Sequence, residues 1–265
     1  MDLQLSSKEI DTHLSVDSRA LINKLEIFPI IDSTNTYLMT LAQNQFVSKG
    51  HVCLAQTQTA GKGRRGREWI SPEGKNIYCS FLWQFQNAQV LNGLSLAVGV
   101  GVIRALNEYG IFDINLKWPN DIYSQSKKLG GILIEMTTDK NGTINAVIGL
   151  GLNLFLPKSL SEITQPYTDL EEIAPHIDIN RNELIAKLLS HLLPIADTFE
   201  QKGFSAYLNE WRNYDFLFGK YVDLFVGSQK INGFVQGIDD NGLLKLQHED
   251  GTMQVFASGE VSFSA

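Results

Sequence analysis

"KLGGILIEMTTDKNGTINAVIGLGLNLF", residues 128–155, contains two long apolar runs, 128–138 and 143–155, separated by Asn141-Gly142. Asn-Gly is a strong hairpin signal because both residues tolerate left-handed backbone, so the spacing predicts two adjacent antiparallel strands. Strand side chains alternate between faces. In the second run the even positions Ile144, Ala146, Ile148, Leu150 and Leu152 make an apolar core face. The odd positions are Asn145, Val147, Gly149, Gly151 and Asn153. Two glycines and an asparagine clear room there, either for a flat ligand or for a closely packed neighbour. Gly130-Gly131 interrupts the first strand in the same way, and Lys127-Lys128 opens it. A lysine at a strand end is ordinarily just solvated, but Lys128 lies beside the cleared face and is a candidate site residue.

Outward from this hairpin, "FPIIDSTNTYLMTLAQNQFVSKG" (28–50) reads as strand, turn and helix. Ser33 or Thr34 can cap that helix by accepting from its free N–H groups, and Gly50 ends the segment. Capping explains one of the polar trio Ser33, Thr34 and Asn35, not all three. Residues 51–60 and 76–85 read as strands; Gln56 and Gln58 point to one side of the former. A helix is expected from about Val90 to Tyr109, apolar on most sides and therefore buried. "INLKW" and a Pro119-Asn120-Asp121 turn follow. Asn180 with Glu183 resembles a capping box for a helix of roughly twenty residues, and a shorter helix covers 205–213. From Phe216 short apolar runs alternate with the turns Gly227-Ser228, Asp240-Asn241-Gly242, Asp250-Gly251 and Ser258-Gly259. That rhythm predicts a small β-barrel of about fifty residues. The expected architecture is α+β, with a mixed or antiparallel central sheet and flanking helices over 28–215. A small β domain occupies 216–265, and residues 1–27 form an arm or short helix.

The chain has 265 residues, 43% hydrophobic, and a formal charge of -7. An acidic balance argues against a general binder of nucleic acid or acidic membranes. No basic and apolar leader opens the sequence, and no run approaches the roughly 18 apolar residues of a membrane span. A cytoplasmic protein is expected. Cys53 and Cys79 lie in apolar runs without metal-type spacing, so they read as buried free thiols.

"GKGRRGREW" (61–69) concentrates Lys62, Arg64, Arg65 and Arg67 in an otherwise acidic chain. It fits G-x-G-x-x-G, but "SPEG" (71–74) breaks the helix that a dinucleotide fold requires next, and the following strand supplies no acid. As a P-loop it fails because Arg67-Glu68 stands where Lys-Ser/Thr is needed. A solvated hairpin loop is one reading. The other is a phosphate-binding loop: glycine admits close backbone approach, and arginine offers paired donors to phosphate oxygens.

With these residues in view the sequence resembles the biotin–protein ligases. The matching segments are "DSTN" (32–35), "QTAGKGRRGREW" (58–69), "KWPND" (117–121), "KKLGGILIE" (127–135) and "IGLGLN" (148–153), spread over a resemblance that covers about 28–265. The resemblance implies a class II synthetase-like biotin/lipoate ligase fold with an SH3-like C-terminal β domain. It implies formation of biotinyl-5′-AMP from biotin and MgATP, then transfer to a lysine of a biotin carboxyl carrier protein, a subunit of acetyl-CoA carboxylase. By the same resemblance Ser33, Thr34, Asn35 and Gln58 recognise biotin. Lys62, Gly63 and Arg64 wrap biotin and its adenylate, and Lys128 sits at the biotin carboxylate and α-phosphate, with Lys128 and Arg64 as catalytic candidates. Arg65, Arg67, Trp69, Asn120, Gly131, Ile132 and Asn153 are placed on ATP or the adenylate. No protein-held metal is expected, because no carboxylate trio is visible and ATP can supply most magnesium ligands. Lys62 departs from the family's usual arginine, and Ser264 stands where some members carry a basic residue. The stretch before residue 28 is too short for the helix-turn-helix module of the repressor members, so neither repressor activity nor a nucleic-acid partner is expected. The oligomer is expected to be a monomer or weak homodimer. A lipoate-type ligase and a non-enzymatic biotin-binding module are the rival readings.

Overall fold

The computed structural model describes residues 4–44, 48–74, 76–157, 160, 163 and 165–263. In chain order the elements are α1 (Ser7–His13), α2 (Val16–Leu21), β1 (Lys24–Ile31), α3 (Thr34–Gln43), β2 (His51–Gln58), β3 (Asn76–Phe85), α4 (Leu94–Glu108), β4 (Asn115–Lys117), β5 (Asp121–Ser124), β6 (Lys127–Thr138) and β7 (Ile144–Asn153). They continue with α5 (Leu170–Ile173), α6 (Arg181–Lys202), α7 (Ser205–Asn213), β8 (Tyr221–Val226), β9 (Gln229–Ile238), β10 (Leu244–Gln247), β11 (Met253–Phe256) and β12 (Glu260–Phe263). Strands β1 to β7 form one sheet in the order β1-β2-β3-β7-β6-β5-β4. Only the β1–β2 pair is parallel, so the sheet is mixed. Strands β8 to β12 form a separate antiparallel sheet in the order β11-β10-β9-β8-β12. Ser264 lies outside the described residues.

The two faces of β7 separate as the alternation requires. Ile144, Ala146, Ile148, Leu150 and Leu152 join the main core with α4 and α6. Val147 on the opposite face packs with Leu38 and Ala42 of α3 and with Cys53 and Leu82. The β6–β7 turn is wider than a two-residue hairpin. Thr138 pairs with Ile144, and the Asp139 carboxylate accepts from the N–H groups of Asn141 and Thr143, while Gly142 takes a φ of 85°. Helix α4 starts later than the apolar stripe suggests, because Gly93 in left-handed backbone (φ 78°) separates it from a 3-10 turn at Ala88–Leu91. Asn180 caps α6 by accepting from the N–H groups of Asn182 and Glu183. Cys53 and Cys79 are buried and free, and burial pushes both thiols far above their usual range.

Within 1–27, expected as an arm or short helix, the described residues form two short helices and the start of β1. Strand β1 begins at Lys24, and α1 is seated on the start of α6. Ile10 is fully buried in the core, the Ser6 N–H donates to Asn182 Oδ1 (2.9 Å), and Glu9 accepts from the side chains of Asn180 and Asn182. A polar, low-hydropathy stretch hides this because its few apolar residues, Leu5, Ile10 and Leu14, are the ones buried.

The junction between the two sheets carries a titratable group. Asp215, before β8, bridges Leu116 of β4 and accepts from the Leu217 N–H (2.9 Å). Its other oxygen is buried without a hydrogen-bond partner among the described residues, and burial raises its pKa from 3.8 to about 6. A folded pKa above the unfolded one means that protonation favours folding. The ionised group therefore destabilises the fold in full above about pH 6, and this cost disappears as pH falls towards 3.8. Asp215→Asn is expected to stabilise the protein by about 3 kcal/mol at pH 7.5 and to give almost no gain at pH 4, measured as paired thermal melts.

Candidate active site

The glycine-cleared face of β7 and the adjoining part of β6 form the floor of a cleft of about 990 Å³, open mouth included. At one end stands the start of α3. Ser33 is the cap, accepting from the Thr36 N–H, which frees Thr34 and Asn35 for other work. Thr34 donates its backbone N–H to Gln58 Oε1 (2.9 Å), and its hydroxyl lies 3.1 Å from that oxygen and 2.7 Å from the Ser80 hydroxyl. Ser80 donates to Asn35 Oδ1 (2.6 Å), and Asn35 Nδ2 donates to Glu135 (3.0 Å). Gln58 Nε2 donates to Ser71, whose hydroxyl donates to the Trp69 carbonyl. Ser33, Thr34, Asn35 and Ser80 are all buried. This is a buried, polar recess of neutral groups, suited to a small uncharged heterocycle that both donates and accepts. Gly149 is required here, since a Cβ on it would lie 2.2 Å from Asn35 Oδ1.

The basic loop is ordered as a narrow hairpin. Lys62 bridges Glu68, the Gly63 N–H donates to Arg67 O (2.7 Å), and the Trp69 N–H donates to Gly61 O (2.9 Å). Its tip, Arg64–Gly66, puts Arg65 at a φ of 57° and Gly66 at 73°. Trp69 returns to the floor and packs against Gly151, where a Cβ would come within 2.5 Å of the indole. The indole N–H is buried without a hydrogen-bond partner among the described residues. Lys128 rises beside it, its ammonium 5.5 Å from the ring centroid and paired with Asp121 at 2.8 Å. Arg64 donates to Asn120 Oδ1 (3.0 Å), and the Asn120 amide donates to Ile132 O (2.8 Å). Burial lowers the Arg64 pKa, with further lowering from Arg65. From the second sheet Glu260 reaches across to Arg67 (2.6 Å) and Arg65 (3.8 Å).

The cleft is lined by five cationic side chains, Lys62, Arg64, Arg67, Lys117 and Lys128, against three carboxylates, Glu68, Asp121 and Glu260. Against a chain of net charge -7 this is a local surplus of positive charge, and it lies next to the neutral recess. Among the described residues no group of three His, Cys, Asp or Glu could hold a metal ion. Asp121 is committed to Lys128 and Glu260 to the loop arginines, so these residues do not fit a protein-held magnesium site.

Of the residues expected from the sequence, the structure brings Ser33, Thr34, Asn35, Gln58, Lys62, Gly63, Arg64, Arg67, Trp69, Asn120, Lys128, Gly131 and Ile132 to the cleft wall. Two stand elsewhere. Asn153 is past the end of the floor, its buried amide donating to Thr168 O (3.0 Å). Arg65 is turned out by its left-handed backbone and lines the outer groove beside the loop. Sequence reasoning missed Ser80, Asp121, Glu260 and Lys117. Lys117 lies between the rings of Tyr123 (5.0 Å) and Phe263 (5.6 Å), and burial lowers its pKa against the pull of Asp121. Lys117 and Asp121 could have been found, since both belong to the quoted "KWPND".

Fold and cleft together define an α+β ligase in which a neutral recess adjoins a cluster of cationic side chains. The chain belongs to the biotin protein ligases: residues 27–153 match the biotin/lipoate A/B protein ligase family, and residues 217–264 match the biotin protein ligase C-terminal domain. It is 37% identical over 238 residues to the bifunctional ligase/repressor BirA of Escherichia coli, spanning 89% of this chain and 73% of that protein. It is 29% identical over 239 residues to the biotin–[acetyl-CoA-carboxylase] ligase of Paracoccus denitrificans, spanning 88% and 97%. The structure of the Aquifex aeolicus biotin protein ligase in complex with biotin and ATP superposes with a TM-score of 0.77 at 32% identity, covering 91% of this chain and 98% of that one. Among the described residues no helix is long and apolar enough to cross a membrane.

Proposed function

We propose that this chain makes biotinyl-5′-AMP from biotin and ATP, and then transfers the biotinyl group to a lysine of the carboxyl carrier subunit of acetyl-CoA carboxylase. The observation that carries this reading is the adjacency, on one glycine-cleared floor, of a neutral hydrogen-bonding recess and a cation cluster around Lys128. The complex of the Aquifex relative with biotin and ATP supports the two ligands, and the name of the Paracoccus relative supports the carrier.

In the first step a carboxylate oxygen of biotin attacks the α-phosphorus of ATP and pyrophosphate leaves. In the second the carrier amine attacks the acyl carbon, AMP leaves, and the amine gives up a proton. The recess of Ser33, Thr34, Asn35 and Gln58 would hold the ring end of biotin. Lys62, Gly63 and Arg64 would close over it, and Lys128 and Arg64 would meet the reacting carboxylate and phosphate. Arg67, Trp69, Asn120, Gly131 and Ile132 would hold the nucleotide, with Arg65 and Asn153 acting from the periphery. Magnesium would arrive on ATP and neutralise phosphate charge. Catalysis here is positioning plus charge stabilisation, and a closed loop shields the mixed anhydride from water.

The test is exchange of labelled pyrophosphate into ATP, followed by incubation with a carrier domain and mass spectrometry. Exchange that requires biotin, and a single biotinylated carrier lysine, are expected. Biotin binding by calorimetry without any exchange would overturn the reading and leave a binding module.

A further inference from the structure

Glu135 lies outside the cleft, on the outer half of β6, where it lines the groove between that strand and the basic loop. Its carboxylate nevertheless ends the hydrogen-bond chain of the recess. An ionised carboxylate can only accept. Glu135 Oε2 lies 3.0 Å from Asn35 Nδ2, and the Leu133 carbonyl, at 3.4 Å, is a second acceptor on the same side. The Asn35 amide must therefore turn its NH₂ outward and its oxygen inward, towards Ser80. That oxygen also only accepts, so the Ser80 proton is committed to it. Ser80 Oγ can then only accept from the Thr34 hydroxyl, whose single proton is in that case not given to Gln58. The Gln58 oxygen already accepts from the Thr34 N–H, which leaves its NH₂ for Ser71. One acceptor-only group thus fixes the direction of the donors from β6 through Asn35 and Ser80 to the Thr34 hydroxyl, while the Thr34 N–H independently fixes Gln58.

We infer that Glu135 is a positioning residue for ligand recognition: acting through Asn35, it sets the donor–acceptor polarity that the recess presents to the ring of its ligand. The inference rests on the proposal that this ligand is biotin. Without Glu135 only the longer contact to the Leu133 carbonyl (3.4 Å) holds the Asn35 amide, which can then rotate, present its NH₂ to Ser80, and reverse the chain as far as Thr34. The ligand would then have to select one of two polarities, and would lose affinity by the share of the wrong one.

The test is calorimetric binding of biotin and, separately, of ATP to the full chain and its Glu135 variants. Glu135→Ala is expected to weaken biotin binding about tenfold, the cost of one misdirected buried hydrogen bond, and to change ATP binding less than about twofold. Glu135→Gln can still accept through Oε1 and is expected to recover most of the loss. It also keeps the test open if the alanine variant melts. In an Asn35→Ala background, Glu135→Ala is expected to have almost no further effect. An equal loss for biotin and ATP, or a full effect in the Asn35→Ala background, would overturn the inference and leave Glu135 a structural residue. Wild-type pyrophosphate exchange, run in parallel, separates the two readings. Biotin binding without exchange sinks the ligase proposal and leaves the Glu135 result standing, whereas exchange with no Glu135 effect does the reverse. A wild type that does not bind biotin overturns both.

Discussion

Lys128→Ala is expected to lower biotin-dependent pyrophosphate exchange by about a thousandfold, roughly 4 kcal/mol of transition-state stabilisation. The size follows from how firmly the ammonium is held. The Lys128 backbone is fixed on both sides, its N–H donating to Pro166 O (2.9 Å) and its carbonyl accepting from Thr168 (3.0 Å). Its side chain is only 15% exposed and is paired with Asp121, itself 18% exposed. Truncation does two things at once. It removes the cation from the place where phosphate charge builds up, and it leaves the Asp121 carboxylate unpaired in a cleft that must admit a nucleotide and a carboxylate. The second effect can be separated. Asp121→Asn in the Lys128→Ala background removes the orphaned charge and is expected to restore part of ATP binding while exchange stays low. Arginine is a poor substitute, since its planar fork would crowd Trp69 on the strand floor. A Lys128→Ala protein that keeps more than about a tenth of wild-type exchange would remove Lys128 from the reacting centre.

The sheet was legible because its strands are long enough to show their period. Ten residues of β7 separate an apolar face from a glycine-cleared one, and the structure puts the core on the first and the cleft on the second. The polar trio at α3 was legible as an excess, since one cap cannot use three side chains. What stayed hidden depends on contacts that no local pattern encodes. Lys117 sits in β4, three residues long, too short for alternation to show which way it faces. Glu260 meets Arg67 across 193 positions of sequence. Asn153 shares the parity of Gly149 and Gly151, but the floor ends before it because the chain at Thr168 crosses there and takes its amide. Arg65 belongs to the basic run, yet one positive φ sends it to the outer groove. The polarity of the recess is the most remote feature of all. It depends on the chemistry of Glu135 at the end of a chain that runs through Asn35 of α3 and Ser80 of β3 to Thr34.

Gly149→Ala is the sharper probe of that recess, with an expected loss of biotin affinity of about a hundredfold. The added methyl would lie 2.2 Å from Asn35 Oδ1 and 2.9 Å from its Cγ, closer than real carbon contacts allow. Neither side can yield cheaply. Gly149 is in mid-strand, paired with Ser80 of β3 on one side and Leu133 of β6 on the other. Asn35 is held by Glu135 and Ser80 and sits in the first turn of α3. Relief must come from displacing the start of α3, which pulls Thr34 away from Gln58 and Ser80 together. Overpacking of this kind also destabilises the fold by about 1–3 kcal/mol, visible as a lower melting temperature. Gly142→Ala supplies the contrast. Its Cβ would meet open space, and the only penalty is the left-handed backbone at a φ of 85°. That variant is expected to lose about 1 kcal/mol of stability and none of its affinity for biotin. Calorimetry on the two alanine variants therefore separates a lost recess from a merely weakened fold. Biotin binding by Gly149→Ala within about threefold of wild type would mean that the ligand is recognised away from Asn35.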